Sequence, residues 1–168
     1  YASGIINNVG LYSKKYKSLD ELPTGATVAI ANDPINSGRG LQLLAKAGLI
    51  TLKPGVGYKA TEEDIVANPK KIKLIQVEAV QLVRAYDDAD LVQGYPAYIR
   101  LSKTFDAGSA LLFDGLDHKE YVIQFVIKPE NKNDPRLAKF VDIYQHSPVV
   151  RAALDKAHGK LYQAGWEG

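Results

Sequence analysis

Residues 26–48 read ATVAIANDPINSGRGLQLLAKAG. The first six form a continuous apolar run containing Val28 and Ile30, bounded by Gly25 and by Asn32-Asp33-Pro34. Its length and its bounds fit a buried strand better than a helix. A helix is predicted to start near Asn36 or Ser37. It carries Leu41, Leu44 and Ala45 at helical spacing and ends at Gly48, a natural residue just past a helix. A strand, a short polar loop and a helix are the repeating unit of an α/β layer fold.

The same alternation extends in both directions. Upstream, 5–13 (IINNVGLYS) is predicted extended, interrupted by Asn7 and Asn8. Ser18 with Glu21 three residues on predicts one helical turn at 18–22. Downstream, 49–52 is a short extended piece. Thr61 and Asp64 open a helix that stops before Asn68-Pro69. Lys73 to Glu78 is a strand, 79–86 a helix, 91–92 a short strand, 97–103 a helix and 110–113 extended. Tyr121 to Lys128 (YVIQFVIK) is the strongest strand signal in the chain. A helix follows from Asp134 or Pro135 to about Gln145, with Leu137, Phe140, Val141 and Tyr144 on one stripe. The last helix starts at Ser147-Pro148 and is closed by Gly159. The pattern predicts a mostly parallel sheet. Ligands of such sheets sit beyond the carboxyl ends of the strands, which points to the loops after Ala31, Glu78 and Val92.

Composition narrows the function. The chain has 168 residues, with 21 Lys+Arg against 19 Asp+Glu and a formal charge of +2. No clustered basic face is implied, so nucleic acid is not an expected partner. Hydrophobic residues are 46% and charged residues 24%, the balance of a folded domain rather than a disordered chain. There is no Cys, which excludes disulfides, thiolate zinc sites and cysteine nucleophiles together. There is also no Met, so Tyr1 is expected to be a processed, trimmed or truncated end.

The loop 32–39 (NDPINSGR) is the most chemical stretch. Free N–H groups and the dipole at a helix start favour an anion, and Arg39 adds a planar fork suited to a carboxylate. The plainer alternative is that Arg39 points to solvent or pairs with Asp33. Gly55-x-Gly57-x-x-Ala60 loosely matches a dinucleotide fingerprint, but Pro54 precedes it and only a short helix follows, so no nucleotide is expected. His118, His146 and His158 are scattered without ligand spacing, so no metal is expected. No base, nucleophile or metal set of an enzyme can be named. The loop 93–100 (QGYPAYIR) places Gln93, Tyr95 and Tyr98 just past a strand, as pocket walls or as ordinary aromatics.

The run 10–50, from GLYSKKYKSLDELPTG through NDPINSGRGLQLLAKAGLI, resembles the MetQ/NlpA family of solute-binding lipoproteins. LKPGVGYKATEEDIVANPKKIKLIQVEAVQLVRAYDDAD at 52–90, HSPVVRAALDK near the end and an aromatic-glycine tail agree with it. The resemblance implies a type II periplasmic-binding-protein-like fold. It also implies a substrate-binding component of an ABC importer, holding a small amino-acid-like or carboxylate ligand between lobes without a cofactor. Residues 1–23 would hold the first hinge crossing and a linker, and 24–116 a complete second lobe. The remainder, 117–168, would be the second crossing and C-terminal helices. The N-terminal part of the first lobe would be missing. An orphaned strand at 121–128 would invite pairing with another copy or a swap. The protein would be exported, periplasmic or lipid-anchored, and would dock on a membrane permease.

Carried over residue by residue, Arg39 matches the family's carboxylate-binding arginine and Asn36 the asparagine of its NDPxN motif. Gln93 stands where the family usually has Asn. A second family Asn falls at Ile123, with Gln124 beside it. The expected ligand-lining set is therefore Asn36, Arg39, Gln93, Tyr95 and Gln124, with the identity of the ligand open. A surface lipoprotein or antigen fragment without a ligand, and an α/β enzyme, stand as rival readings.

Overall fold

The computed structural model describes residues 1–167, so Gly168, the end of the expected C-terminal segment, lies outside the described residues. In chain order the elements are β1 (Ala2–Ser3), β2 (Ile5–Asn7), β3 (Gly10–Tyr12), β4 (Thr27–Ala31), α1 (Pro34–Lys46), β5 (Thr51–Leu52) and β6 (Ile65–Ala67). Then come β7 (Lys73–Val77), α2 (Leu82–Ala85), β8 (Leu91–Gly94), α3 (Pro96–Ser102), β9 (Leu112–Phe113), β10 (Gln124–Phe125), α4 (Pro135–His146), α5 (Pro148–His158) and β11 (Tyr162–Ala164). They group into two compact units, one formed by Val9–Asp114 and the other by Tyr1–Asn8 with the chain from Gly115 onward.

The Val9–Asp114 unit is built on a five-stranded sheet in the order β7-β4-β8-β3-β9. β4 runs parallel to β7 and β8, whereas β3 runs antiparallel to β8 and β9. β4, β7, β8 and β9 thus point the same way, as the alternation of strands and helices predicts, and β3 alone runs against them, so its pairings with β8 and β9 are antiparallel and the sheet is mixed. Both faces of β4 are covered, which is why it reads as an unbroken apolar run. Val28 and Ile30 pack with Leu41, Leu43 and Leu44 of α1. Ala29 and Ala31 face Leu82 and Val92 on the other side. Each fully buried Leu contributes on the order of 1.5–3 kcal/mol.

α1 starts earlier than the spacing predicts. Asp33 is its N-cap, the carboxylate accepting from the Asn36 N–H at 3.0 Å, and Pro34 takes the first helical position. The signal at Thr61 is also shorter-lived than expected. Thr61 and Asp64 do form a capping box, but on a single 3-10 turn at Glu62–Asp64. The chain then pairs as β6 with β5, since Ile65 and Val66 suit a strand and a partner edge is at hand.

In the second unit, β1 pairs with β10 and β2 with β11, all antiparallel. The run 121–128, expected as a long strand, forms a ladder only at Gln124–Phe125. Ile123 adds hydrogen bonds to Gly4 and Ile5, but Val126 is 90% exposed. A β-rich sequence needs a partner strand of matching length, and β1 is two residues long. Phe125 meets Phe140 and Tyr144 edge-on, and Tyr144 meets Trp166. This aromatic row ties β10 to α4 and to the tail.

Candidate functional site

The carboxyl ends of β4 and β8 converge on the first turns of α1. Three of the five expected ligand-lining residues are joined there by direct hydrogen bonds, and the fourth, Arg39, is buried two turns into the helix.

Gln93, at the third position of β8, is fully buried. Its Oε1 accepts from the Ala31 N–H at 2.8 Å. Its Nε2 donates to the Asn36 carbonyl at 2.9 Å and to the Tyr95 hydroxyl at 3.0 Å. One amide therefore ties the end of β4 to the start of α1 and to the residue that caps α3. Gly40 makes this fit. A Cβ there would stand 2.8 Å from Gln93 Oε1. The Asn36 side chain turns the other way, donating to both oxygens of Asp33.

Arg39 does not face solvent, and the partner it shows is not Asp33. It is 6% exposed, and its Nε donates to Asp114 Oδ2 at 2.6 Å. The other carboxylate oxygen, Oδ1, accepts from the Val9 N–H at 2.9 Å. Lys46, two turns further along the same face of α1, donates to the Phe113 and Asp114 carbonyls. Asp114 escaped the sequence reading. Its one signal is an acidic residue inside the apolar stretch LLFDG at 111–115, where a buried charge demands a partner.

Burial holds the Tyr95 phenol well above the usual tyrosine range, while Arg39 pulls it the other way. Tyr95 therefore stays a neutral hydroxyl. Tyr98 sits beside it, ring centroids 5.8 Å apart, and is half-exposed. Gln124 lies in the other unit, exposed on β10 with its backbone paired to Ser3.

The remaining candidates lead elsewhere. Gly55 and Gly57 adopt positive φ around a 3-10 turn, Gly57–Lys59, which is a turn and not the long helix of a dinucleotide site. Gly38 admits that loop, since a Cβ there would collide with the Tyr58 carbonyl. His118 and His146 pair with Glu120 and Asp142. A separate cavity of about 510 Å³ opens beside the α1 start, lined by Asn32, Ile35, Ser37, Thr61 and Gln76 among others, and none of the five expected residues borders it.

Known proteins place this geometry in a family. The family model described as NlpA lipoprotein matches residues 1–166. The D-methionine-binding lipoprotein MetQ of Escherichia coli K12 is 43% identical over 159 residues, covering 92% of this chain and 57% of that protein. The outer membrane lipoprotein 2 of Mannheimia haemolytica is 39% identical over 175 residues, covering 99% of this chain and 61% of that protein. The chain thus spans less than two thirds of the length of these relatives. Among solved structures, a nutrient binding protein from Burkholderia cenocepacia bound to methionine superposes with a TM-score of 0.89 at 35% identity, covering 97% of this chain and 68% of that one. A periplasmic substrate-binding protein of an ABC transporter from Coxiella burnetii gives 0.88 at 37% identity, covering 97% and 67%.

Proposed function

Because the chain belongs to the NlpA lipoprotein family, we propose that it works in the substrate-binding component of an ABC importer and holds a small amino-acid-like ligand, with methionine the first candidate. In this reading the protein is exported and anchored at the cell envelope, its macromolecular partner is the membrane permease, and its task is binding rather than catalysis.

The observation that carries the reading is the buried Arg39–Asp114 pair beneath the start of α1. A guanidinium is a rigid planar fork of N–H donors, and its Nε donates to Asp114. That bond fixes the plane of the fork before any ligand arrives. A preset donor contributes more to binding than one that must first be ordered. The pair sums to zero charge. A bare carboxylate entering beside it would add an uncompensated negative charge in a poorly solvated place, whereas a zwitterion brings its own cation. This favours amino acids over simple acids. Asn36 and Tyr95 would flank the carboxylate-binding arginine, and Gln93 would hold both in place.

Calorimetry with D- and L-methionine tests the reading, using Arg39→Lys as the variant. Lysine keeps a charge for Asp114 but loses the fork. Hydrogen bonds to a charged group are worth roughly 1.5–3 kcal/mol, so affinity should fall about 10- to 100-fold. Undiminished affinity would remove Arg39 from the site. A protein whose melting temperature no amino acid raises would instead be a surface lipoprotein without a solute.

A further inference from the structure

We infer that the groove between α2 and α3 is a second ligand site, which takes a small carboxylic acid with a compact apolar body. It shares no residue with the solute site proposed above and does not depend on that reading.

The sequence spacing builds the groove. Val80, Val83, Arg84 and Asp87 recur at steps of three and four residues, the spacing of one helical face. They run from the 3-10 turn Ala79–Gln81 through α2 to the turn after it. Tyr98, Leu101 and Ser102 repeat the spacing on α3. The two faces enclose a cavity of about 400 Å³. Pockets for small molecules run from roughly 300 to 1,000 Å³. The core does not need these faces. Leu82 and Ile99 anchor the same helices inward and are 1% and 0% exposed. Val80 stays 52% exposed, and Leu101, at 80%, is the most exposed large apolar side chain of the Val9–Asp114 unit. Apolar groups gathered around one concavity mark a binding groove, unlike single ones scattered over a surface. A turn closes the end of the groove. Lys103 takes a left-handed conformation there, with φ 55°, and the Thr104 hydroxyl lies 2.7 Å from that of Ser102.

Charge selects the occupant. Two charged side chains line the cavity, Arg84 and Asp87. Lys14 holds the Asp87 carboxylate. Arg84 has no hydrogen-bond or ion-pair partner among the described residues. The groove therefore offers apolar walls and one uncommitted planar fork of donors, and a carboxylate matches that fork with two oxygens. An inorganic anion would leave the walls in water. An uncharged apolar molecule would gain nothing from the guanidinium.

The test is a titration of the full chain with 4-methylpentanoate, followed in ¹⁵N spectra. Amides of 80–87 and 98–104 should shift together and saturate, with a Kd of roughly 1–10 mM, the strength open to so small a ligand. 4-Methylpentanamide has the same body without the charge and should bind about fivefold more weakly. Arg84→Gln should weaken the acid by about the same factor and leave the amide unchanged. Leu101→Ser removes an exposed wall, so the fold should stand while both compounds lose binding. An excess of D-methionine should not reverse the shifts. Shifts that never saturate, or that centre on the start of α1, overturn the site. Equal binding of acid and amide, or undiminished binding of the acid by Arg84→Gln, overturns the carboxylate as its ligand. Reversal by D-methionine overturns its independence from the solute site. A chain that binds the acid in the groove but binds no D-methionine upholds this inference and counts against the methionine-type reading instead.

Discussion

Asp114→Ala is the sharpest test of how the site is held together. The carboxylate and the Arg39 guanidinium are both 7% exposed, and their bond is 2.6 Å. Removing one partner of a buried pair leaves the other uncompensated, at a cost of about 3–5 kcal/mol. The Val9 N–H also loses its acceptor, worth roughly 1–3 kcal/mol where water cannot replace it. These terms overlap, because alanine leaves space that water can enter. We expect a net loss of about 4 kcal/mol for the Val9–Asp114 unit. Folded domains are stable by only about 5–15 kcal/mol, so this is a large fraction. With a urea slope of about 2 kcal/mol/M, the midpoint should fall by roughly 2 M. The assay must report on the right unit. Trp166, the single tryptophan, belongs to the other one, so amide exchange in β4 and β8 should follow the unfolding. A second variant guards against outright failure to fold. Arg39→Met with Asp114→Leu removes both charges and should recover most of the loss, because replacing a whole buried pair by apolar groups is often close to neutral. A loss below about 1 kcal/mol for Asp114→Ala, or no recovery in the double variant, would refute the reasoning.

Two further outcomes follow from neighbouring geometry. Gly40→Ala should destabilise by about 1–3 kcal/mol through overpacking on Gln93, although in an open helix the same change stabilises by about 1 kcal/mol; thermal melts that rise instead of falling would contradict the close contact. Asp90 accepts from the backbone and hydroxyl of Thr27 and from Lys15, and the Thr27 N–H bond foremost holds its acid below the usual range. Its folded value lies below its unfolded one, so its contribution is present above about pH 4 and is lost as pH falls through the folded value; Asp90→Asn should flatten the acid limb of a stability–pH curve, and an unchanged limb would count against it.

The sequence was readable where local chemistry and tertiary packing agree. β4 and α1 were both visible, since an apolar run buried on two faces and a capped amphipathic helix each leave a clear mark. The start of α1 was misplaced because Pro34 looked like a breaker, whereas after Asp33 it is a first helical residue. Tyr121 to Lys128 misled for the opposite reason. Its β-branched pattern states a preference, but the length of a strand is set by its partner. The ligand-facing reading of Arg39 came from its place near a helix start. What holds it came from Asp114, 75 residues away, and nothing in the local pattern joins the two. Gln93 was legible as a polar residue past a strand. That its amide is spent on two backbone groups and a hydroxyl follows only from the register of β4 against β8.

The Val9–Asp114 unit begins and ends at the same place. The Asp114 N–H donates to the Val9 carbonyl at 2.9 Å, and the Asp114 side chain returns the bond to the Val9 N–H. Its first strand, β3, lies inside the sheet between β8 and β9, so the unit cannot complete its sheet until more than a hundred residues of chain have been made. The entropic cost of closing so long a loop grows only with the logarithm of its length, and it is met once. With entry and exit a single hydrogen bond apart, the unit has the form of an insert. Its termini could be rejoined and new ones opened in an exposed loop, which makes it a module for circular permutation and transplantation as much as a part of this chain.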